Sequence, residues 1–301
     1  MPRIAITGGT GLVGAELAAF LTAAGHEVHT ITRSPKQPSD IRWNPARGEI
    51  EMEKIAACDA IVHLAGESIF GRWTENKKRK IRESRLQGTR LLCESLAKSQ
   101  PRPRTLVSAS AVGYYGDRGD EILTETSPPG DNFLAQVCQE WEAACDPARE
   151  AGIRVVHPRI GPVLSPRGGM LATILPLFKL GLGGRVGDGR QWLSWIGIDD
   201  LVEILHETII DDSLTGPINA TAPHPVTNSE FTAALGKVLG RPTLLPAPKF
   251  GVKLVLGGDA AKELALVSVR ARPDRLLERG HEFRHPELEA ALRFLLGKDE
   301  R

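Results

Sequence analysis

Arg3-Ile-Ala-Ile-Thr-Gly-Gly-Thr-Gly-Leu-Val-Gly14 decides the fold of this 301-residue chain. A short apolar strand runs into glycines at positions 8, 11 and 14, and an apolar helical pattern follows. At this G-x-x-G-x-x-G spacing the first two glycines permit a tight turn and close backbone approach to a pyrophosphate. The third lets helix and strand pack closely. The helix N-terminus adds free N–H groups and a partial positive charge for phosphate oxygens. A glycine pattern alone is a weak signal and is equally the mark of a structural turn. With a strand before it and a helix after it, the stretch reads as a dinucleotide loop formed by Gly8, Thr10, Gly11, Leu12, Val13 and Gly14.

Further along, short apolar runs alternate with helical patterns. Residues 3–7, 27–32, 59–64, 104–108 and 154–158 are predicted strands, and residues 12–24, 75–98 and 132–151 predicted helices. The runs are almost continuously apolar, as in strands covered by helices on both faces. The expected fold class is therefore α/β, a Rossmann-type doubly wound parallel sheet with a smaller, mainly helical C-terminal lobe. After His157-Pro-Arg-Ile-Gly-Pro162 the chain becomes glycine-rich around one apolar helix at 170–180, with a strand-like Trp192-Leu-Ser-Trp-Ile196. Carboxylates at Asp199 and Asp200 suit the first turn of another helix. The expected division is a nucleotide-binding domain over 1–220, with 163–195 contributing to a substrate cleft, and a helical lobe over 221–301.

The end of the second strand bears on which dinucleotide is held. NAD sites commonly place an acid there for the ribose 2′-hydroxyl. Here the sequence is Thr30-Ile-Thr-Arg33-Ser34, with Lys36 following and no acid before Asp40. A guanidinium suits a 2′-phosphate through charge-assisted bonds of about 1.5–3 kcal/mol, roughly ten- to a hundredfold in affinity. Arg33, between Thr32 and Ser34, thus points to NADP; otherwise Arg33 is an ordinary surface charge.

Lys plus Arg number 38 against 37 Asp plus Glu, a formal charge of +1. No field of one sign exists to recruit nucleic acid or an anionic membrane, and neither partner is expected. Lys77-Lys-Arg-Lys80 reads as a solvated helix face. Met1-Pro-Arg3 leads straight into a strand, so no signal peptide is expected. Residues 170–182 are too short and interrupted to span a bilayer. The four cysteines lack C-x-x-C spacing and read as buried thiols, with no metal site. A cytoplasmic location is expected.

Three segments together, Thr7-Gly-Gly-Thr-Gly-Leu-Val-Gly14, Asp59-Ala-Ile-Val-His-Leu-Ala-Gly-Glu67 and Ser108-Ala-Ser-Ala-Val-Gly-Tyr-Tyr-Gly116, resemble the extended, nucleotide-sugar epimerase-like branch of the short-chain dehydrogenase/reductase superfamily. More narrowly the chain is similar to its atypical epimerase family subgroup, on the Leu-Ala-Gly-Glu segment, Trp73, Thr74, Ser84 and Arg85, the Arg-Ile-Gly…Gly-Gly-Met-Leu turn and the C-terminal helical region. The resemblance covers essentially the whole chain. It implies that Leu64, Ala65, Gly66 and Glu67 run past the cofactor and that Arg85 reaches it. It also implies that Ser108 or Ser110 lies beside the substrate carbonyl, that Arg159 and Ile160 flank the nicotinamide, and that two helices support a homodimer. Each residue also has a plain structural reading.

The superfamily moves a proton with a tyrosine four residues before a lysine. Aligned here, those positions hold Phe133 and Val137, and the 132–151 segment contains neither Tyr nor Lys. Loss of such a general acid/base costs about 10²–10⁴ in rate. Glu67, in an expected poorly solvated pocket that would raise its pKa, and Tyr115, expected to line the cleft, are the candidate replacements. Arg72, Trp73, Trp192 and Trp195 are candidate lid residues, with core packing the alternative for the tryptophans. Two functions follow: an NADP-dependent oxidoreductase or epimerase acting on an unknown small carbonyl or sugar-type substrate, or a non-catalytic NADPH-binding sensor.

Overall fold

Residues 2–244 and 246–298 are described by a computed structural model. In chain order its principal elements are β1 (Arg3–Thr7), α1 (Leu12–Ala23), β2 (Glu27–Thr32), β3 (Ile41–Asn44), β4 (Ala60–His63), α2 (Glu75–Lys98), β5 (Thr105–Ser108) and α3 (Phe133–Ala143). There follow β6 (Arg154–Ile160), α4 (Gly169–Lys179), α5 (Ile198–Ile210), β7 (Gly216–Ala220), α6 (Asn228–Leu239), α7 (Lys249–Leu256) and α8 (Leu288–Leu295).

The long strands lie in the order β7-β6-β5-β4-β1-β2-β3, all parallel. The chain winds outward from β1 to β3, then crosses back to β4 and winds the other way. The reversal between β1 and β4 opens a crevice at the strands' C-terminal ends, where ligands of such sheets bind. Alternation within strands feeds two cores. Ile4, Ile6, Val62, Val107 and Val156 face Leu17 of α1 and Leu201, Ile204 and Leu205 of α5. Ala5, Ile31, Ile61, Leu106 and Val155 face Leu92 and Leu96 of α2. Burying each such side chain contributes about 1.5–3 kcal/mol, which is why these strands carry so few polar residues.

Several elements differ from expectation. The helix expected over 132–151 is two, Phe133–Ala143 and Asp146–Glu150, because Pro147 in the first turn of the second has no N–H with which to continue the first. Strands β3 and β7 went unread: β3 is only four residues long, flanked outward by the two-residue antiparallel strand Glu49–Ile50, and β7 begins Gly-Pro, which disguises it as a turn. The strand-like 192–196 segment is split. Trp192–Leu193 pairs with Val226–Thr227, and Ile196–Gly197 pairs with Val163–Leu164.

A third core joins α4 to α6 and α8 around the fully buried Trp195. Helix α6 starts on a capping box, Thr227 with Glu230, and stops at Gly240 in the left-handed region. Beyond α7, Leu276 and Phe283 return to the sheet core. Among the described residues no helix is long and apolar enough to cross a membrane.

Candidate functional site

The loop between β1 and α1 turns at Gly8, whose φ is +71°, and the Gly11 N–H closes it on the Gly8 carbonyl at 2.9 Å. A Cβ at Gly8 would stand 3.0 Å from the Leu64 carbonyl carbon and the Ala65 nitrogen, and one at Gly14 would run into the Gly8 carbonyl. Gly11 is the N-cap of α1 and offers no side-chain acceptor, so the first amides of the helix are uncapped. Thr10 and Gly11 are exposed, while Leu12 and Val13 are half-buried. The Leu12 side chain also touches Gly168, which brings the start of α4 against the loop.

A buried polar relay braces this crevice. Thr7 Oγ1 accepts the Leu64 and Ala65 N–H groups at 3.1 Å, so its proton goes to His63 Nδ1 at 2.7 Å. His63 Nε2 then donates to Thr89 Oγ1 at 2.9 Å. Burial lowers the His63 pKa to about 4, fixing the neutral imidazole this relay requires. Sequence reading passed over Thr7 and His63, whose only signal is a polar residue at the end of an otherwise apolar strand.

Past β4, Leu64 and Ala65 are half-buried and Gly66 is exposed, with the Arg85 guanidinium against it. Arg85 donates to the Glu67 and Ile81 carbonyls at 3.0 and 3.1 Å and lies over the Trp141 ring. Among the described residues no carboxylate pairs with it. Glu67 corrects one expectation. Its carboxylate is 40% exposed and held by Lys77 at 2.6 Å, and that hydrogen bond lowers its pKa. The poorly solvated, raised-pKa acid read from the sequence is an ion pair at the rim.

Pairing of β2 with β1, Ile31 opposite Thr7, sets Thr32, Arg33 and Ser34 beside the glycine turn. Thr32 Oγ1 accepts the Ser34 N–H at 3.3 Å. Arg33 is exposed and no acid pairs with it among the described residues.

Tyr115 is the second correction. It lines no cleft: it is 0% exposed, and its hydroxyl donates to Asn219 Oδ1 at 2.6 Å and accepts from Arg159 at 3.1 Å. Burial pushes its pKa up to about 12. The 3₁₀ turn Val112–Tyr115 rotates the ring into the core with Leu123 and Val269. Arg159 is buried too, bonded by Nε and Nη2 to the two oxygens of Glu142 at 2.9 Å and stacked on Tyr114. Its guanidinium is thus committed inside the protein, leaving Ile160 half-buried at the strand end. Ser110 donates to Glu142 Oε1 at 2.7 Å. Ser108 is buried, borders the Cys145 thiol, and its Oγ has no partner among the described residues.

Phe133 stacks edge-on with Trp73 at 5.4 Å, and its N–H and that of Leu134 donate to Glu263, so the C-terminal lobe sits on the start of α3. Val137 is 2% exposed. Of the lid candidates, Trp73 and Trp195 are core residues, Arg72 is exposed and packs on Gly257, and Trp192 is half-buried under Arg270.

The model of the NAD dependent epimerase/dehydratase family matches residues 4–216. The chain belongs to that family. Residues 247–295 match a domain of unknown function, DUF1731. The Epimerase family protein MT2273 of Mycobacterium tuberculosis is 43% identical over 291 residues, 96% of each chain. The crystal structure of human epimerase family protein SDR39U1 with NADPH aligns at a TM-score of 0.88 and 35% identity, covering 98% of this chain and 99% of that one. A nucleoside-diphosphate sugar epimerase of Corynebacterium glutamicum aligns at a TM-score of 0.82 and 43% identity, over 98% of this chain and 58% of that longer one.

In this epimerase-family chain the glycine loop adjoins the Leu64–Gly66 edge, Gly66 lies against Arg85 and Arg33 follows the neighbouring strand, whereas Tyr115, Arg159 and Ser108 are buried. Glu142 and Asn219, which sequence reading missed, organise that buried set. A charged residue on the inner face of a short helix, Glu142 one turn after Cys138, was the available signal for the first.

Proposed function

We propose that the chain holds NADP(H) in the crevice between β1 and β4 and transfers hydride to or from a small carbonyl or sugar-type substrate. The uncapped α1 amides and the glycine surfaces suit a pyrophosphate, and the exposed Arg33 guanidinium suits a 2′-phosphate. Arg33 is the observation that carries the reading, and the NADPH-bound relative at 35% identity supports it. Nicotinamide supplies the hydride when bound; the chain must orient it, exclude water and handle one proton. For the proton, Ser110 against the Glu142–Arg159 pair is the remaining candidate, since Tyr115 and Glu67 are disposed otherwise. Activity would make this an oxidoreductase or an epimerase with an atypical site.

A second reading is a non-catalytic NADPH-binding sensor. It is favoured by Phe133 and Val137 standing where proton carriers belong, and by Glu263 tying the C-terminal lobe to the same helix start. Nicotinamide absorbance followed with NADPH and a panel of aldehydes, ketones and sugar nucleotides separates the two. Turnover that disappears in Ser110→Ala supports the enzyme; tight binding without turnover supports the sensor. No binding of NADPH rejects both.

A further inference from the structure

Eleven large hydrophobic side chains are exposed among the described residues, and six lie in two segments that touch. Leu177, Leu180 and Leu182 stand at and beyond the end of α4, and Leu244, Phe250 and Leu254 precede or belong to α7. Leu180, Leu244 and Phe250 are 72%, 87% and 75% exposed. Ala247 joins the segments, its N–H donating to the Arg185 carbonyl at 2.8 Å and its carbonyl accepting from Gly187 at 3.0 Å. Scattered exposed leucines are ordinary; six exposed apolar side chains on two segments that meet are more than scatter.

Charge on these two segments is mostly positive. Residues 177–189 and 241–256 carry Lys179, Arg185, Arg241, Lys249 and Lys253 against one acid, Asp188. At their edge Lys179, Arg241 and Lys298 converge over Leu239 and Leu296 around a pocket of about 350 Å³. Among the described residues no carboxylate lines that pocket. The total charge of +1, which argued against a membrane in the sequence, conceals this asymmetry.

We infer that this face docks the protein on an anionic phospholipid bilayer, with Lys179, Arg241 and Lys298 taking headgroup phosphates and the leucines and Phe250 entering the acyl boundary. The exposed side chains project from the end of α4, the turns after it and the short α7, which suits insertion into a fluid layer. In α7, Phe250 and Leu254 share one side while Leu256 packs inward against Trp73 and Ile81. Cations flanking protruding apolar groups are the pattern of a peripheral interfacial anchor, and attraction to anionic lipid acts within a Debye length of the surface. Nothing in this attachment depends on the cofactor reading.

The whole chain is sedimented with vesicles of phosphatidylcholine alone, or mixed with phosphatidylglycerol, at low and high salt. Binding should be confined largely to the mixed vesicles and fall with salt. Lys179→Gln with Arg241→Gln and Lys298→Gln should weaken it on the order of a hundredfold. Leu180→Ser with Leu244→Ser and Phe250→Ser should weaken it at both salt concentrations, with circular dichroism and melting unchanged. Failure to co-sediment, or equal binding to neutral vesicles, overturns the inference. A concentration-dependent dimer dissolved by Leu244→Ser would also overturn it, assigning the face to a second copy. Equally tight binding of short-chain phosphatidylglycerol below its micelle concentration would reassign it to a free amphiphile.

Discussion

The Tyr115 hydroxyl donates to Asn219 Oδ1, a side chain 104 residues away on β7, while accepting from Arg159. It is therefore a strut between the 3₁₀ turn and the edge of the sheet. Tyr115→Phe should cost about 1–3 kcal/mol, because it strands a buried acceptor and a charged donor. Chemical denaturation reads the loss. NADPH affinity should stay within twofold of the parent, roughly the scatter expected when no contact is lost. A stable variant with abolished turnover would restore Tyr115 to the chemistry.

Arg33→Ala should weaken NADPH by about ten- to a hundredfold and leave NADH almost unchanged, the size expected for losing charge-assisted bonds to one phosphate. Calorimetry with both nucleotides checks this. Because Arg33 is exposed, the melting temperature should not move. Parallel losses for the two nucleotides would show that the guanidinium does not discriminate.

The glycine loop was legible because its constraint is local: a left-handed Gly8 and a Gly14 pressed on the Gly8 carbonyl leave a fixed spacing in the chain. The continuously apolar strands were legible for the same reason, apart from β3 and β7. Glu67 and Tyr115 were misread because their environments are made by distant partners. Glu67 is held from α2 at both ends, its N–H by Ser84 at 2.9 Å and its carboxylate by Lys77 at 2.6 Å. Tyr115 finds Asn219 only through a strand that opens on Gly-Pro. Local sequence carries no trace of either pairing.

His63 and His157 are both buried, and desolvation lowers each pKa from 6.5 to about 4. Below pH 6.5 the unfolded chain takes up protons that the folded chain refuses, so stability from these groups is complete above pH 6.5 and lost as pH falls to 4. Two such groups give a slope of about 2.4 kcal/mol per pH unit near pH 5. Urea unfolding at pH 7, 6 and 5 measures it. His157→Gln should remove about one proton's share of that slope; a slope unchanged in the variant would mean His157 titrates normally.

Glu142 and the serine that bonds it carry different risks. Glu142→Gln leaves a guanidinium charge buried without compensation and should cost about 3–5 kcal/mol, enough to impair folding. Ser110→Ala removes one donor from a carboxylate that keeps both Arg159 bonds, at about 1.5–3 kcal/mol. The serine variant is thus the informative one, since it should fold. If Ser110 passes the proton in hydride transfer, its loss lowers kcat by about 10²–10⁴ with NADPH affinity unchanged. If turnover survives, Ser110 only braces the pair and the proton travels by another route. If the parent itself shows no turnover while binding NADPH tightly, the Ser110–Glu142–Arg159 cluster is a structural brace, and the sensor reading follows from it.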